Sequence, residues 1–301
     1  MTKKKIIVTG GAGFIGNNFI SRYHHKYDFY CLFNKNKIDK KFFISSLKID
    51  SNEKKIIKFF KRIKPDCVLH LASNYVKNNN ISHINKLIES NVKFGVYILE
   101  AMKVSNCKKI INFGTMFQHK KNTNYYPQNL YAATKQAFEN ICYYYYLNWN
   151  IDCINLKLFD SYGPKDKRDK LLNNLLANKK KIELEKKGAG GGGKKFLIND
   201  RNNKLNLVHI HDICEAIKVS IKLILSKKRY FKSFSLPSRE PIKVFDVIKE
   251  VQKYKKINFK FLQDEKIKKF VSFNIRYPKL IGWKPKISIQ EGLRQCINLN
   301  Y

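Results

Sequence analysis

The sequence predicts an α/β fold: a doubly wound parallel sheet with helices on both faces, followed by a smaller C-terminal α/β region. Two observations predict it. Short apolar segments of strand length alternate with longer segments of helical spacing, which is typical of parallel sheets covered on both faces. The 301 residues also suffice for one large α/β unit or two modest domains with a sizeable core.

The predicted strands are short and apolar, and the longest predicted helices lie between them. The strands are IIV from Ile6, FYCLF from Phe29, CVLHLA from Cys67, IINF from Ile110 and INLKLF from Ile154. The longer helices are a segment that ends at Pro65, a segment over 83–104 and a segment over 130–146, each with apolar residues at helical spacing.

The character of the chain changes after Pro164. A charged segment over 168–181 predicts a helix, and GAGGGG at 188–193 predicts a flexible loop, because a run of small residues packs little. A further helix is expected to begin near His211, and short helices and strands are expected from Ser233 onwards.

The first predicted strand ends in a glycine turn, TGGAGFIG, that leads directly into a helix. Such a turn presents backbone N–H groups and a helix N-terminus to a pyrophosphate, which predicts a Rossmann-type dinucleotide site. Gly10 allows the tight turn, Gly13 lets phosphates approach the backbone, and Gly16 lets the helix pack close to the strand. We therefore expect a dinucleotide-binding domain over 1–164. Residues 165–301 are expected to be mainly substrate-binding, with some segments returning to the Rossmann sheet.

The end of the second strand favours NADP(H) over NAD(H). NAD-specific folds usually place a carboxylate there, which accepts a hydrogen bond from the ribose 2′-OH. This strand is instead followed by Asn34 and Lys35, with a further lysine at position 37. Asp50, after the third strand, is either a contact of the adenine amine or a solvated loop carboxylate.

Tyr131 and Lys135 in YAATK stand four residues apart on a predicted helix, so they lie on one face, one turn from each other. A nearby ammonium stabilises the phenolate and lowers the pKa of a tyrosine from its usual value of about 10. The pair is therefore a candidate acid–base for interconverting a carbonyl and an alcohol. Thr115 ends an upstream strand, where its hydroxyl would lie beside a substrate carbonyl.

The order of these motifs resembles the extended short-chain dehydrogenase/reductase superfamily of nucleotide-sugar enzymes, the NAD-dependent epimerase/dehydratase family. The resemblance runs along nearly the whole chain. Its segments are TGGAGFIG, PDCVLHLAS from Pro65, SNV from Ser90, YAATK, LKLFDSYGP from Leu156, LVHIHDI from Leu207 and the closing LIGWKPKISIQEGL.

Within this superfamily, GTMFQH from Gly114 and YPQNLYAATKQAFENI look most like the group of CDP-abequose and CDP-paratose synthases. These enzymes are 4-ketoreductases that act on CDP-4-keto-3,6-dideoxyhexoses. The resemblance implies NAD(P)H-dependent reduction of the 4-keto group of a nucleotide-activated deoxyhexose, CDP-linked by this match, in the synthesis of surface-polysaccharide sugars such as those of the O-antigen.

The resemblance also implies roles for individual residues. Tyr131 would donate a proton to the C4 carbonyl oxygen, and Thr115 would hydrogen-bond and orient that oxygen. Lys135 would bind the nicotinamide ribose hydroxyls and lower the pKa of the tyrosine. With the glycine turn and the end of the second strand, the expected cofactor-binding set is Gly10, Gly13, Phe14, Ile15, Gly16, Asn34, Lys35, Asp50, Leu71, Ala72, Ser73, Asn91, Tyr131 and Lys135.

The chain departs from the family's pattern at two points near the expected substrate. The 4,6-dehydratases carry an Asp-Glu pair directly after the active-site Thr, whereas Met116 and Phe117 stand there in this chain and cannot move a proton. Dehydration is therefore not expected. Asp160 stands where many relatives have an Asn that contacts the nucleotide diphosphate, and a carboxylate would repel phosphate unless it is paired. Thr115, Met116 and Asp160 form the expected substrate set.

The composition of the chain indicates which binding partners and which cellular compartment to expect. The formal net charge of +37 suggests nucleic-acid binding, but Lys, Asn and Ile are enriched along the whole chain without a discrete basic tail. We interpret the charge as compositional bias that also attracts an anionic nucleotide substrate. Seven scattered cysteines indicate reduced, mostly buried thiols and no metal site. With no visible signal peptide or membrane span, a cytoplasmic protein is expected, without membrane contact and without a specific nucleic-acid partner.

Two other functions are also compatible with the sequence. The same Tyr and Lys would serve a 4-epimerase with tightly held NAD, because epimerisation is oxidation followed by reduction of a flipped keto-sugar. A catalytically retired basic protein that binds nucleic acid is the third hypothesis. His70, His209 and His211 are expected to be structural, with Asp212 as a candidate helix cap. The tyrosine run at 143–146 is expected to pack, and a homodimer through helices of this region is expected from the family.

Overall fold

The computed structural model describes residues 2–34, 39–49, 53–75, 81–119, 125–176, 196–198, 203–257, 259–261 and 276–300. Contacts divide the chain into two units. The first comprises Met1–Leu158, Ile213–Leu236 and Phe273–Trp283, and the second comprises Phe159–Asp212, Pro237–Ser272 and Lys284–Tyr301. The expected functional division into residues 1–164 and 165–301 stays a prediction.

The strands and helices alternate through the first part of the chain, as the apolar pattern predicts. The strands are β1 (Lys4–Thr9), β2 (Tyr27–Phe33), β3 (Ser45–Lys48), β4 (Cys67–His70), β5 (Lys109–Thr115), β6 (Asp152–Leu158), β7 (Asp160–Tyr162), β8 (Phe196–Ile198), β9 (Lys204–Leu205), β10 (Leu207–His209), β11 (Phe231–Leu236), β12 (Ile242–Lys243) and β13 (Phe259–Phe261). The α-helices are α1 (Phe14–Tyr23), α2 (Glu53–Ile63), α3 (Ile81–Ile88), α4 (Phe94–Ser105), α5 (Leu130–Trp149), α6 (Leu171–Leu176), α7 (Ile210–Ser226), α8 (Val244–Gln252) and α9 (Ile289–Asn300).

The first unit is built on a seven-stranded sheet in the order β11-β6-β5-β4-β1-β2-β3. Every neighbouring pair in it is parallel. The winding of the chain reverses at β1 and β4, and ligands bind outside the carboxyl ends of the strands at such a switch point. The doubly wound Rossmann-type fold is therefore confirmed. Its topology indicates a ligand site at the carboxyl ends of β1 and β4.

Helices α2, α4 and α5 contribute to the main core of the first unit. The buried residues of α2 recur at the spacing of one helical face, which is why this lysine-rich segment folds as a helix against the sheet. Ile56 and Phe60 of α2 pack in one cluster with Ile98 of α4 and Phe138 of α5. The core thus fixes α5, the helix of the YAATK motif, in its place.

The helix predicted over 83–104 is wrong as one continuous α-helix. Helix α3 ends at Ile88, a π-helical turn spans Glu89–Lys93, and α4 follows. The inserted turn buries Asn91, which a regular helix would have placed differently on its surface.

Two predictions in the second half also need correction. The helix predicted over 168–181 begins only at Leu171 and is described to Leu176; the remainder, like the glycine run at 188–193, lies outside the described residues. Asp212 does not cap α7, because the helix already begins at Ile210. Its carboxylate instead accepts hydrogen bonds from the backbone N–H groups of Lys286 (2.9 Å) and Ile287 (3.1 Å).

The described residues of the second unit form three two-stranded sheets. Strands β7 and β10 pair in parallel, β9 and β12 pair antiparallel, and β8 and β13 pair in parallel. Its core includes Leu175 of α6, Val247 of α8 and Leu293 of α9. All seven cysteines of the chain are buried and free, as expected. No helix in the described part of the chain is long and apolar enough to cross a membrane.

Candidate active site

The glycine turn lies at the carboxyl end of β1 and opens α1. Gly10 has a φ of +67°, in the left-handed region that favours glycine, and its carbonyl accepts a hydrogen bond of 2.9 Å from Gly13 N–H. A Cβ on Gly16 would lie 2.5 Å from the Gly10 oxygen, so the helix packs directly on the turn. Gly13 is the exposed N-cap of α1 and offers no side chain to its first N–H groups. The turn therefore has the shape that a pyrophosphate requires.

The segment after β4 lies against this turn. A Cβ on Gly10 would lie 2.6 Å from Ala72 N. The same Ala72 N–H donates to Thr9 Oγ1 at 3.1 Å, and Thr9 Oγ1 hydrogen-bonds His70 Nδ1 at 3.0 Å. Leu71 and Ala72 are thereby held beside the predicted cofactor turn. Burial lowers the pKa of His70 to about 3, so the histidine is neutral, in line with its expected structural place.

Asn91 holds the next residues of this segment. Its Oδ1 accepts hydrogen bonds from Ser73 Oγ (3.3 Å) and Asn74 N–H (2.7 Å), and its Nδ2 donates to Asn74 O and Thr134 Oγ1, both at 3.0 Å. These four bonds use the full hydrogen-bonding capacity of a carboxamide. Asn91 therefore joins the segment after β4 to α5, and its direct contact with a cofactor stays a prediction without a free polar group to support it.

The other predicted cofactor residues are placed only in part. Phe14 and Ile15 are half-buried in the first turn of α1, and Asn34 is exposed after β2. Lys35 and Asp50 lie outside the described residues. The preference for NADP(H) therefore stays a prediction from the sequence.

Tyr131 and Lys135 lie in the first two turns of α5. The helix is capped by Asn129, whose Oδ1 accepts a hydrogen bond of 2.9 Å from Ala132 N–H. The half-buried Tyr131 contacts the ring of Tyr75 edge-on, with 5.1 Å between ring centroids. The cap fixes the start of the helix and hence the direction in which this face points.

Lys135 is almost fully buried, with 2% of its surface exposed. Burial lowers the pKa of this lysine to about 8, because desolvation disfavours the charged form. None of the hydrogen bonds or ion pairs of the described residues involves its ammonium. A buried ammonium without a protein acceptor in this part of the chain fits a ligand that brings hydroxyl oxygens, as the ribose of a nicotinamide cofactor does.

Thr115 ends β5 and begins a short 3₁₀ turn at Met116–Gln118. Its N–H donates to Gln118 Oε1 at 2.8 Å, and its Oγ1 accepts from Phe117 N–H at 3.3 Å. Because the hydroxyl serves as an acceptor here, its proton is left to donate to a ligand oxygen. Met116 is buried beside it, and neither Met116 nor Phe117 carries an ionisable group.

Asp160 belongs to the second unit and is half-buried at the start of β7. Lys170 Nζ lies 3.8 Å from its carboxylate, so the charge that would repel a phosphate has a cationic neighbour. Contact of Asp160 with a substrate stays a prediction.

Sequence reasoning missed three buried polar residues next to Thr115, namely Gln118, Glu139 and Lys157. The signal for one of them was present: Tyr131, Lys135 and Glu139 recur every four residues along one face of α5. Among the described residues, no group of three or more His, Cys, Asp or Glu side chains could hold a metal ion.

A glycine turn at the switch point of a parallel sheet and a Tyr–Lys pair on α5 are typical of Rossmann-type oxidoreductases. A model of the family described as "NAD dependent epimerase/dehydratase family" matches residues 6–230. The chain therefore belongs to this family. The resemblance to extended short-chain dehydrogenases/reductases and the prediction of an NAD(P)-dependent enzyme of that type are confirmed.

Individual relatives are distant but cover much of the chain. An uncharacterized protein of Methanocaldococcus jannaschii, MJ1055, is 26% identical over 99% of this chain and 96% of its own length. CDP-abequose synthase of Yersinia pseudotuberculosis is 27% identical over 71% of each protein. The solved structure of Thermus thermophilus UDP-glucose 4-epimerase in complex with NAD matches over 98% of both chains, with a TM-score of 0.76 and 18% identity, which shows the shared fold.

Proposed function

We propose that this protein is a nucleotide-sugar 4-ketoreductase that uses NADPH to reduce a CDP-linked 4-keto-deoxyhexose. The product would enter the synthesis of surface-polysaccharide sugars in the cytoplasm. The observation that carries the proposal is Lys135, a buried ammonium without an acceptor among the described residues, one turn after Tyr131 on α5. The similarity to CDP-abequose synthase over 71% of the chain supports the choice of substrate class.

The catalytic work falls to three side chains of the first unit. Tyr131 gives its phenolic proton to the C4 oxygen as that oxygen becomes a hydroxyl. Thr115 donates its hydroxyl proton in a hydrogen bond to the same oxygen and orients the carbonyl. Lys135 holds ribose hydroxyls and stabilises the phenolate that Tyr131 leaves behind.

The nicotinamide cofactor, when bound, supplies the hydride that reaches C4. Its pyrophosphate would be held by the turn from Gly10 to Gly16 at the N-terminus of α1. The segment Leu71–Ser73 would line the nicotinamide side. Asn34, with the lysines after it in the sequence, would favour the 2′-phosphate of NADPH over the 2′-hydroxyl of NADH.

The residues after Thr115 argue against a dehydratase. Removal of water from the sugar needs an acid and a base beside C5 and C6, and Met116 and Phe117 supply neither. The proposal therefore stops at carbonyl reduction.

A 4-epimerase is the second candidate. The matched solved structure is an epimerase in complex with NAD, and the pair Tyr131–Lys135 serves oxidation and reduction equally well. An epimerase would retain its cofactor through purification and would consume none of it in turnover.

We also propose a homodimer formed through the distal part of α5. Tyr143, Tyr144 and Leu147 are each about half exposed there, at 47%, 53% and 51%. Light scattering of the purified protein tests this: a Leu147→Glu variant should shift the mass from two chains to one.

The function is tested by incubating the protein with CDP- and dTDP-linked 4-ketohexoses and either NADH or NADPH, and identifying the product by NMR. We expect oxidation of NADPH and a new C4 hydroxyl on a CDP-linked deoxyhexose. Protein that oxidises neither cofactor with any of these sugars and binds neither cofactor would refute the proposal.

A further inference from the structure

A buried ion pair lies next to Thr115 and has no part in the mechanism above. Glu139 of α5 and Lys157 of β6 are 6% and 1% exposed, and the carboxylate contacts the ammonium directly. Gln118, in the turn after β5, is fully buried beside them. Such groups are costly to bury unless they are paired and hydrogen-bonded.

The Glu139 carboxylate joins four elements of the first unit. Its Oε2 accepts from Lys157 Nζ of β6 and from Gln118 Nε2 at 3.1 Å, and its Oε1 accepts from Ser233 Oγ of β11 at 2.8 Å. An ionised carboxylate accepts hydrogen bonds and donates none. Any group facing it must therefore turn a donor towards it.

This requirement fixes the side chain of Gln118. Its amide nitrogen donates to Glu139 Oε2 at 3.1 Å and to Gln136 Oε1 at 2.6 Å, so its oxygen faces Thr115 N–H, with 2.8 Å between the atoms. The backbone is pressed against this arrangement, because a Cβ on Gly114 would lie 2.6 Å from Gln118 Oε1 and 2.8 Å from Lys157 Cδ. The orientation of the amide at the end of β5 thus follows from two acceptors on α5, the charged Glu139 carboxylate and the Gln136 side-chain oxygen.

We propose that Glu139 is a positioning residue for Thr115: acting through Gln118, it fixes the strand end that presents the Thr115 hydroxyl to the substrate carbonyl. This inference rests on the proposed function for the meaning of Thr115. The physical link itself, from carboxylate to amide to Thr115 N–H, concerns the protein alone. The two can therefore be tested separately.

The link is tested by NMR of protein labelled with ¹⁵N at its five threonines, Thr2, Thr9, Thr115, Thr123 and Thr134. A Thr115→Ser variant assigns the Thr115 amide signal. In Glu139→Gln, the residue facing Gln118 gains a donor, so the Thr115 signal should move and its amide should exchange with solvent faster. Gln118→Met leaves the ion pair intact and removes the acceptor, so it should change the same signal.

Asp152→Asn is the matched control. Asp152 is 3% exposed and pairs with Lys109 at 2.5 Å, at the opposite ends of the same two strands β5 and β6. Loss of this buried carboxylate should cost stability and leave the Thr115 signal in place. If Glu139→Gln does not fold because Lys157 is left unpaired, Glu139→Gln/Lys157→Met removes both charges and serves in its place.

Steady-state kinetics give the functional half of the test. We expect kcat to fall roughly ten- to one-hundredfold in Glu139→Gln and in Gln118→Met, with the Kd for cofactor unchanged. The Glu139→Gln/Gln118→Met double variant should lose no more kcat than the more damaged of the two single variants, because both changes break one link. An unmoved Thr115 signal in Glu139→Gln, or fully additive losses, would overturn the positioning role. A wild-type protein without any activity on keto-sugars would refute the proposed function instead, and the NMR result would still decide the link.

Discussion

At the scale of single residues, the proposed chemistry depends on the desolvation of Lys135. Lys135 is buried, its ammonium has no acceptor in the described part of the chain, and its pKa falls to about 8 because of the burial. Buried groups with shifted pKa values cluster at functional sites, which is where the proposed function places this lysine. In the proposed function, Tyr131, one turn earlier, is the proton donor that this ammonium assists.

The first residue-scale prediction concerns Tyr131→Phe. Without the phenolic proton, acid catalysis is lost and kcat should fall roughly 10²–10⁴-fold, while the Kd for cofactor barely changes. Tyr254→Phe, at an exposed tyrosine outside the candidate site, is the control and should keep full activity. An equal loss of cofactor binding in Tyr131→Phe would show that the residue is structural.

The second concerns pH and Lys135. Folding lowers the lysine pKa from 10.5 to about 8, so between these values the unfolded chain binds more protons than the folded one. The free energy of unfolding therefore gains from this group as pH rises through that window, and below pH 8 the buried charge costs stability. Urea unfolding of cofactor-free wild type and Lys135→Met at pH 7 and pH 10.5 should show the stability difference changing by about 3 kcal/mol in favour of wild type. A difference that stays constant with pH would contradict the account.

At the scale of elements, the two ends of the site are set by how helices begin. Helix α1 begins at an exposed glycine that offers no side-chain cap to its first N–H groups, whereas α5 begins at Asn129, whose side chain accepts from Ala132 N–H. The start of α1 therefore suits the anion that the proposed function places there, and the start of α5 fixes the position of the side chains that follow it.

Substitutions in the glycine turn should affect cofactor binding and folding stability differently. Gly13 has a φ of −73°, which any residue adopts, and a Cβ there would meet only the Gly10 oxygen at 3.1 Å. The free energy of unfolding of Gly13→Ala should therefore lie within about 1 kcal/mol of the wild-type value. Its affinity for NADPH should fall at least roughly tenfold, because the added methyl group would occupy space that the phosphates need. Gly10→Ala should lose stability as well, because its φ of +67° and the 2.6 Å contact with Ala72 N leave no room. Calorimetric titration and urea unfolding measure both; unchanged affinity in Gly13→Ala would place the pyrophosphate elsewhere.

The start of α5 gives the matching prediction. Asn129→Ala removes the acceptor of Ala132 N–H and should lower the free energy of unfolding by about 1 kcal/mol, while Asn129→Ser should restore most of it. Asn148→Ala, at an exposed position late in the same helix, should cost less than about 0.5 kcal/mol. Equal losses at the two positions would contradict a capping role.

At the scale of the whole molecule, the sequence predicted the fold well because its signals were local. The glycine turn, the apolar strands and the Tyr–Lys spacing are each recognisable within a few residues. The π-helical turn at Glu89–Lys93 was not predicted, since nothing in the local pattern distinguishes it from a regular helix. Gln118, Glu139 and Lys157 were missed for another reason: their pairing spans three elements that only the folded sheet brings together.

The net charge of +37 is also a property of the whole molecule. If it reflects composition rather than a nucleic-acid site, binding to RNA should weaken by roughly 10³-fold or more between 50 and 200 mM salt, because it depends on counterion release. Fluorescence anisotropy with a labelled single-stranded RNA measures this. Submicromolar binding that survives physiological salt would support the nucleic-acid hypothesis.

The most direct test of the central claim follows the hydride. The protein is incubated with a CDP-linked 4-keto-deoxyhexose and NADPH that carries deuterium at the transferable C4 position of the nicotinamide. We expect one equivalent of NADPH to be consumed for each sugar and the deuterium to appear at C4 of the product, with Tyr131→Phe slowing both. Conversion of the sugar without net consumption of NADPH, or a product without deuterium at C4, would contradict the account.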